Sequence, residues 1–253
     1  MQKLLFSRAG ATEDYEFIGK ALFLPKEKIL AIGDLHLGYE FMLREAGALL
    51  PETQIKQTID EIKQIFEILE KRKIKLNKLI FLGDIKHYFA YKKIEKNIFL
   101  EIVNVVEKYV PEKNIVFIRG NHEKLDIGDK KFVFYHIEKD IAFIHGDKIF
   151  PEVIDKKIKK IVMAHLHPAV KISDEQGVRA EKYKCFLMGK YKSKEFFVLP
   201  SFFPLIEGSS VNEHISENAC IIPPKNLKSF RVFVVGEKNS IYDFGKLGGI
   251  SRE

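Results

Sequence analysis

The chain has 253 residues, 46% of them hydrophobic and 30% charged, which excludes a disordered or collagen-like polymer and allows a large buried core without covalent staples. Lys and Arg outnumber Asp and Glu 42 to 35, and the net charge of +7 favours polyanionic partners. Two cysteines, Cys185 and Cys220, form no CxxC pair, and no apolar run reaches the ~20 residues of a membrane span, so a disulfide framework and a transmembrane helix are both excluded. The Lys/Glu/Ile richness and the lack of Trp also suit a heat-adapted protein, so the charge alone does not establish nucleic-acid binding. The start "MQKLLFSRAGATEDYEF" is too short in its apolar part for a signal peptide, which leads us to expect a soluble protein of the reducing cytoplasm with no membrane association.

In chain order, "DYEFIGKALFLP" reads as a hairpin about Gly19-Lys20. Lys28 to Ile32 is a continuous buried strand that ends at Gly33. From Pro51 to about Lys73, Ile55, Ile59, Ile62, Ile65, Phe66 and Leu69 recur at spacings of three and four, which predicts an amphipathic helix. "NKLIFLGD" is the next buried strand, and a second helical pattern runs from about Tyr91 to Tyr109, stopped by Pro111. "NIVFIRGNH", "DIAFIHGD" and "KIVMAHLH" are three more buried strands. Residues 169–245 change texture: apolar runs alternate with Gly and polar turns, and antiparallel strands are expected there, followed by a frayed tail over 246–253. No repeat or flexible linker interrupts the chain, so one α/β domain over 1–253 is the simplest organisation.

The strand ends share one chemistry. "AIGDLHLG", "FLGDIKH", "IRGNHE", "IHGD" and "MAHLHP" each close a buried strand with Gly or Ala beside Asp, Asn or His. The carboxyl ends of strands are where open α/β sheets bind ligands. Asp34 and His36 stand at i and i+2, so an extended segment would point both to one side, and His165 and His167 repeat that spacing. With Asp84, Asn121, His122 and His145 they offer carboxylate, imidazole and amide oxygen but no thiolate, a donor set for Mn, Fe or Zn rather than iron–sulfur chemistry. So many donors exceed what one ion with open positions accepts. They suit two ions ~3.5–4 Å apart sharing a carboxylate, an arrangement used for in-line phosphoryl displacement. A single His or Asp after a strand is usually only a loop residue; five such ends in order are not explained that way. His136 and His214 lack this context and read as ordinary surface or loop histidines.

The ordered set D-x-H, G-D-x-x-H, G-N-H-E, H-G and H-x-H, spread over residues 33–168, resembles the calcineurin-like metallophosphoesterases. More narrowly, "DLHLGYE", "LREAGALLP", "GDIKH" and "LPSFFPLIEG" resemble the ICC-like subgroup of archaea and bacteria, whose members are often encoded beside DNA helicases or ligases. The resemblance implies a four-layer α/β/β/α sandwich of two mixed sheets flanked by helices. It implies that Asp34, His36 and His167 hold one metal, that Asn121, His145 and His165 hold a second, and that Asp84 bridges both. It further implies that a hydroxide shared by the ions attacks phosphorus while His122 protonates the leaving oxygen. Manganese is the first expectation for the two divalent ions, with Zn, Fe or Ni as alternatives. Ala164 replaces the usual Gly before the final H-x-H, and Asp147 stands where relatives often carry His. His87 stands where broader relatives often carry Asp, and we read it as orienting or contacting the substrate; Arg119, beside Gly120, is either a contact for the substrate phosphate or a surface arginine next to a strand.

The expected activity is hydrolysis of phosphodiesters in nucleic acid or nucleotides. The alternatives are a small-molecule phosphatase or cyclic-nucleotide phosphodiesterase, or a non-catalytic partner of a DNA helicase or ligase. A homodimer is compatible with the sequence. In residues 86–96, "KHYFAYKKIEK", lysines interleave with Tyr88, Phe89 and Tyr91; this is either a nucleic-acid rim or a helix start with a solvated Lys face. Of Phe202 and Phe203, one is expected in the core and the other partly exposed.

Overall fold

The computed structural model of the chain describes residues 10–51, 53–87, 93–122, 127, 129–173 and 180–250. Two mixed sheets pack face to face. The first has six strands in the order β1 (Glu16–Ile18), β2 (Ala21–Leu24), β3 (Ile29–Ile32), β4 (Lys78–Phe81), β5 (Ile115–Ile118) and β6 (Phe132–Val133). β1 to β3 form an antiparallel meander turning at Gly19-Lys20, and β3 to β6 run parallel. Its outer face is covered by α1 (Tyr39–Glu45), α2 (Gln54–Lys71) and α3 (Lys93–Val106).

The second sheet holds β7 (Tyr135–Glu138), β8 (Ile141–Ile144), β9 (Lys160–Met163), β10 (Pro168–Ser173), β11 (Ala180–Tyr191), β12 (Lys194–Val198), β13 (Ser209–Ser210), β14 (Arg231–Val235) and β15 (Ile241–Lys246). Its spatial order is β13-β10-β11-β12-β9-β8-β7, and β14 joins the free side of β11 and carries β15. The outer layer over this sheet is thin among the described residues, with two four-residue helices, α4 (Pro151–Ile154) and α5 (Pro224–Leu227), and loops.

The continuous apolar runs are explained by burial on both faces. In β3, Leu30 and Ile32 pack under the helices, while Ile29 and Ala31 face the other sheet. In β8, Ala142 and Ile144 face outward and Ile141 and Phe143 inward. The layer between the sheets includes Phe17 stacked on Phe186 at 4.1 Å, with Phe143, Phe197 and Phe233 in the same cluster.

Several expectations are corrected. The second half is not wholly antiparallel: β12 pairs parallel with β9, and β13 with β10. The pattern after Pro168 shows where strands are, but not which earlier strand each finds. The sequence reading missed α1, whose seven residues YEFMLRE are too short to show a period. It also missed β6 and β7; the latter puts His136 on a half-buried strand, 3.6 Å from Glu138, rather than on a loop. Of the tail expected to fray over 246–253, β15 reaches Lys246, a 3-10 turn follows over Leu247–Gly249 and Leu247 is buried, while residues 251–253 lie outside the described residues. Phe202 and Phe203 are both fully buried. In the Lys/aromatic stretch Lys86 is buried, whereas Tyr88, Phe89, Tyr91 and Lys92 lie outside the described residues. Among the described residues no helix is long and apolar enough to cross a membrane.

Ile62 and Ile94 test the burial argument. Ile62 is fully buried under the first sheet, and Ile94 on α3 is 40% exposed. Ile62→Ala is expected to cost about 2–5 kcal/mol in denaturant unfolding, and Ile94→Ala no more than about 0.5 kcal/mol. Equal costs would contradict the assigned faces.

Candidate metal centre

Parallel pairing brings the ends of β3, β4 and β5 to one edge of the first sheet, and those of β8 and β9 to one edge of the second. The loops that leave these ends are locked together by backbone. Leu35 and His36 donate their N–H groups to the Asp84 carbonyl (3.1 and 2.8 Å), Leu37 to that of Ile85 (2.8 Å), and Ala164 to that of His145 (2.8 Å).

Within this edge the expected residues converge. Asp34, His36 and His167 form one group, and Asp84, His145 and His165 another; in each, one ligand atom per residue lies within 4.8 Å of the others. In the first group His167 Nε2 is 3.2 Å from Asp34 Oδ2 and 3.1 Å from His36 Nε2. In the second, His145 Nε2 is 3.0 Å from His165 Nδ1, 3.0 Å from Asn121 Oδ1 and 3.4 Å from Asp84 Oδ2. Asp84 Oδ2 also lies 3.8 Å from His36 Nε2, so this one oxygen faces both groups. Asp34, His36, Asp84 and His145 form a buried floor, and Asn121, His122, His165 and His167 form the more open mouth.

The H-x-H pair does not lie along an extended strand, as the spacing suggested. His36, Asp84, His165 and His167 all take left-handed backbone (φ 42°, 42°, 63° and 47°), which for non-glycine residues costs about 1–3 kcal/mol each and concentrates at functional sites. That turn sends His165 to one group and His167 to the other.

Each ring is oriented from behind. His145 Nδ1 is 2.9 Å from the Leu82 carbonyl, which can only accept, so Nδ1 carries the proton and Nε2 faces the cluster. His122 Nδ1 is held in the same way by the His87 carbonyl at 2.5 Å, while its backbone N–H donates to Asp84 Oδ1 (3.0 Å). His165 N–H donates to Asp34 Oδ2 (3.2 Å).

The electrostatics describe a centre short of positive charge. Burial opposes ionisation of Asp34 and Asp84, but the surrounding imidazoles outweigh it and hold both carboxyls below their usual range. Burial likewise opposes protonation of His145, yet contact with Asp84 and the nearby Asp34 charge raise it to about 10. Burial pushes His36 down to about 3 and lowers His165. Among the described residues, the buried His36 Nδ1 has no hydrogen-bond partner, and the buried Asp34 Oδ1 has an ion pair to His145 Nδ1 at 3.4 Å but no hydrogen bond. Two buried carboxylates, convergent imidazole nitrogens and orphaned polar atoms fit divalent cations.

His87 is brought to the same edge. Its ring is 5.5 Å from His36 and 5.3 Å from His122, and the three offer a further group of ligand atoms. Burial, with the His122 charge second, pushes it down to about 4. Arg119 extends its guanidinium over the Phe134 ring at 5.6 Å. Sequence reasoning missed Ser201, whose hydroxyl donates to the Asp34 carbonyl, and Lys20 and Lys184, which donate to the carbonyls of Phe202 and Ser201; these bonds span 17 to 182 residues, and no local pattern announces such contacts.

The sequence profile of the family described as calcineurin-like phosphoesterase matches residues 27–209. No curated protein matches the chain. Among solved structures, the nuclease MPE of Pseudomonas putida is similar at 17% identity and a TM-score of 0.56, over 90% of this chain and 94% of that one; the likeness shows the fold alone. Vps29 of Entamoeba histolytica, solved with zinc, aligns at 12% identity and a TM-score of 0.37 over 86% of this chain and 99% of that one, too remote to bear on the site.

Glycines permit the close approach of these loops. A Cβ on Gly120 would lie 2.2 Å from Asp84 Oδ1 and 2.4 Å from Asp84 N, whereas one on Gly249 would meet nothing within 4 Å. Gly120→Ala is expected to cost about 1–3 kcal/mol in unfolding by chemical denaturant, and Gly249→Ala to stay within about 0.5 kcal/mol. A neutral Gly120→Ala would mean that the Asp84 turn is not packed as described.

Proposed function

The chain belongs to the calcineurin-like phosphoesterase family, and from that premise we propose that it is a dinuclear metal-dependent phosphodiesterase acting on nucleic acid or nucleotides. The observation that carries the dinuclear reading is the placement of Asp84 Oδ2, 3.4 Å from His145 Nε2 on one side and 3.8 Å from His36 Nε2 on the other. Asp34, His36 and His167 would hold one divalent ion, Asn121, His145 and His165 the other, and Asp84 both. When bound, such a pair supplies Lewis-acid charge to the phosphoryl oxygens and an acidified water for in-line attack. The nitrogen and oxygen donors suit Mn first, with Zn, Fe or Ni able to compete.

The chain's own residues divide the remaining work. The His87 carbonyl accepts from His122 Nδ1, which turns Nε2 toward Asp84 Oδ2 (3.8 Å) and makes it the nitrogen that exchanges a proton with the substrate. That placement lets His122 protonate the oxygen that leaves phosphorus. His87 and Arg119 are proposed to contact the substrate. Support for a polyanionic substrate comes from the net charge of +7, which raises the local concentration of phosphodiesters.

The direct test is the purified protein with Mn, Mg, Zn, Fe(II) or Ni against a chromogenic diester, a monoester, and labelled DNA and RNA. Metal-dependent diester or nucleic-acid cleavage, abolished by chelation and restored by Mn, is expected; hydrolysis of monoesters alone would replace this reading with a small-molecule phosphatase. Asp84→Ala is expected to lose both ions by elemental analysis, and normal occupancy would contradict the shared carboxylate. His122→Ala is expected to keep its metal and lose roughly 10²–10⁴ in turnover. Unchanged kinetics in that variant would remove His122 from the chemistry.

A further inference from the structure

A short strap, residues 199–203, crosses the turn that presents Asp34. It leaves β12 with the Leu199 N–H bonded to the Met163 carbonyl (2.8 Å). The Pro200 carbonyl then lies only 2.6 Å from where a Cβ on Gly33 would stand. The Asp34 carbonyl accepts twice from the strap, from the Phe202 N–H (2.8 Å) and the Ser201 hydroxyl (3.3 Å).

The strap is itself held by two lysines, one from each sheet. Lys184, in β11, donates from Nζ to the carbonyls of Ser201 (2.9 Å) and Phe203 (2.5 Å). Lys20, at the β1–β2 turn, donates to the carbonyl between them, that of Phe202 (2.5 Å), and sits 4.8 Å above the Phe202 ring. Three successive carbonyls are thus capped by two ammonium groups. The Phe202 and Phe203 side chains are fully buried, so the strap cannot shift without exposing them. Ammonium groups are costly to withdraw from water, and only 12% of the Lys20 side chain remains accessible, where Glu61 also pairs with it. Burial pushes the pKa of both lysines down, and Lys20 pushes that of Lys184 further. A core made only for stability would fill this place with apolar side chains.

We infer that Lys20 and Lys184 are positioning residues for the Asp34 side of the metal centre: by fixing the strap they fix the Asp34 backbone, and with it the direction of the carboxylate. The inference rests on the dinuclear reading above. Partners behind a ligand typically govern 10–100-fold in metal affinity, and here the action is on one ion of the two.

The test is Mn(II) binding to the whole protein, followed by the EPR signal of the free ion, for wild type, Lys184→Met, Lys20→Met and Asp34→Asn. Wild type is expected to take two ions. Both lysine variants are expected to weaken, about 10-fold or more, the same binding step that Asp34→Asn removes, with the other step within about 2-fold. Melting of the metal-free proteins separates positioning from plain stability: a variant with a lower melting temperature but both binding steps unchanged, or both weakened equally, overturns the inference. If Lys184→Met does not fold, Lys20→Met, which uncaps one carbonyl, decides in the same way. Failure of wild type to bind two ions would sink the dinuclear reading instead, a result distinct from unaltered binding in the lysine variants.

Discussion

Two carboxylates buried against the same ring govern the rest of this molecule. Asp34 Oδ1 and Asp84 Oδ2 each lie 3.4 Å from a nitrogen of His145, with almost no access to water. Like charges held this way repel, and the low local dielectric magnifies the repulsion. A chain that keeps both groups ionised must supply compensating charge, and the imidazoles are the compensation on hand: His145 is drawn up to about 10 despite its burial. Cations of higher charge answer the same need, which is why the cluster is intelligible as a metal centre and poorly intelligible as a structural core.

That constraint accounts for much of the surrounding architecture. The carboxylates are placed by strand ends that cannot drift, because β3 and β4 pack apolar side chains on both faces. Left-handed backbone at His36 and Asp84 is tolerated because Leu35, His36 and Leu37 tie the first loop to the second through backbone bonds, and the loop of His165 and His167 is held by the Ala164 N–H on the His145 carbonyl and the Ser209 N–H on the His167 carbonyl. Glycine at 83 and 120 removes the atoms that would otherwise collide with His145 and Asp84. The helices and the second sheet's thin outer layer serve this rigidity, and the site is carried at the edge where the two sheets meet. Rigid elements with precisely braced side chains are what a pair of ions sharing one ligand requires.

The sequence exposed the centre more clearly than the scaffold. Buried strands ending in Gly-Asp, Gly-Asn-His or His-Gly are local signals, readable because a single strand end carries both the hydrophobic run and the ligand. Six of the seven residues expected as ligands fall into the two close groups, and Asn121 joins the second at 3.0 Å from His145. The sheet partners were not readable, since β12 finds β9 across a stretch that holds two other strands. The docking of Leu247 and the burial of both Phe202 and Phe203 depend on what lies opposite them in space, which no period encodes. The i, i+2 spacing of His165 and His167 suggested a shared direction, but the left-handed turn that follows β9 sends them to separate groups. Lys20 and Lys184 were lost among many surface lysines, because nothing near them in the chain distinguishes a buried ammonium from a solvated one.

The central claim is that one carboxylate, Asp84, stands between two cations. Anomalous diffraction from crystals grown with Mn(II) tests it most directly. Two peaks are expected ~3.5–4 Å apart, one on each side of the Asp84 carboxylate, the first beside Asp34, His36 and His167 and the second beside Asn121, His145 and His165. A single peak, or two that do not share Asp84, would contradict the account.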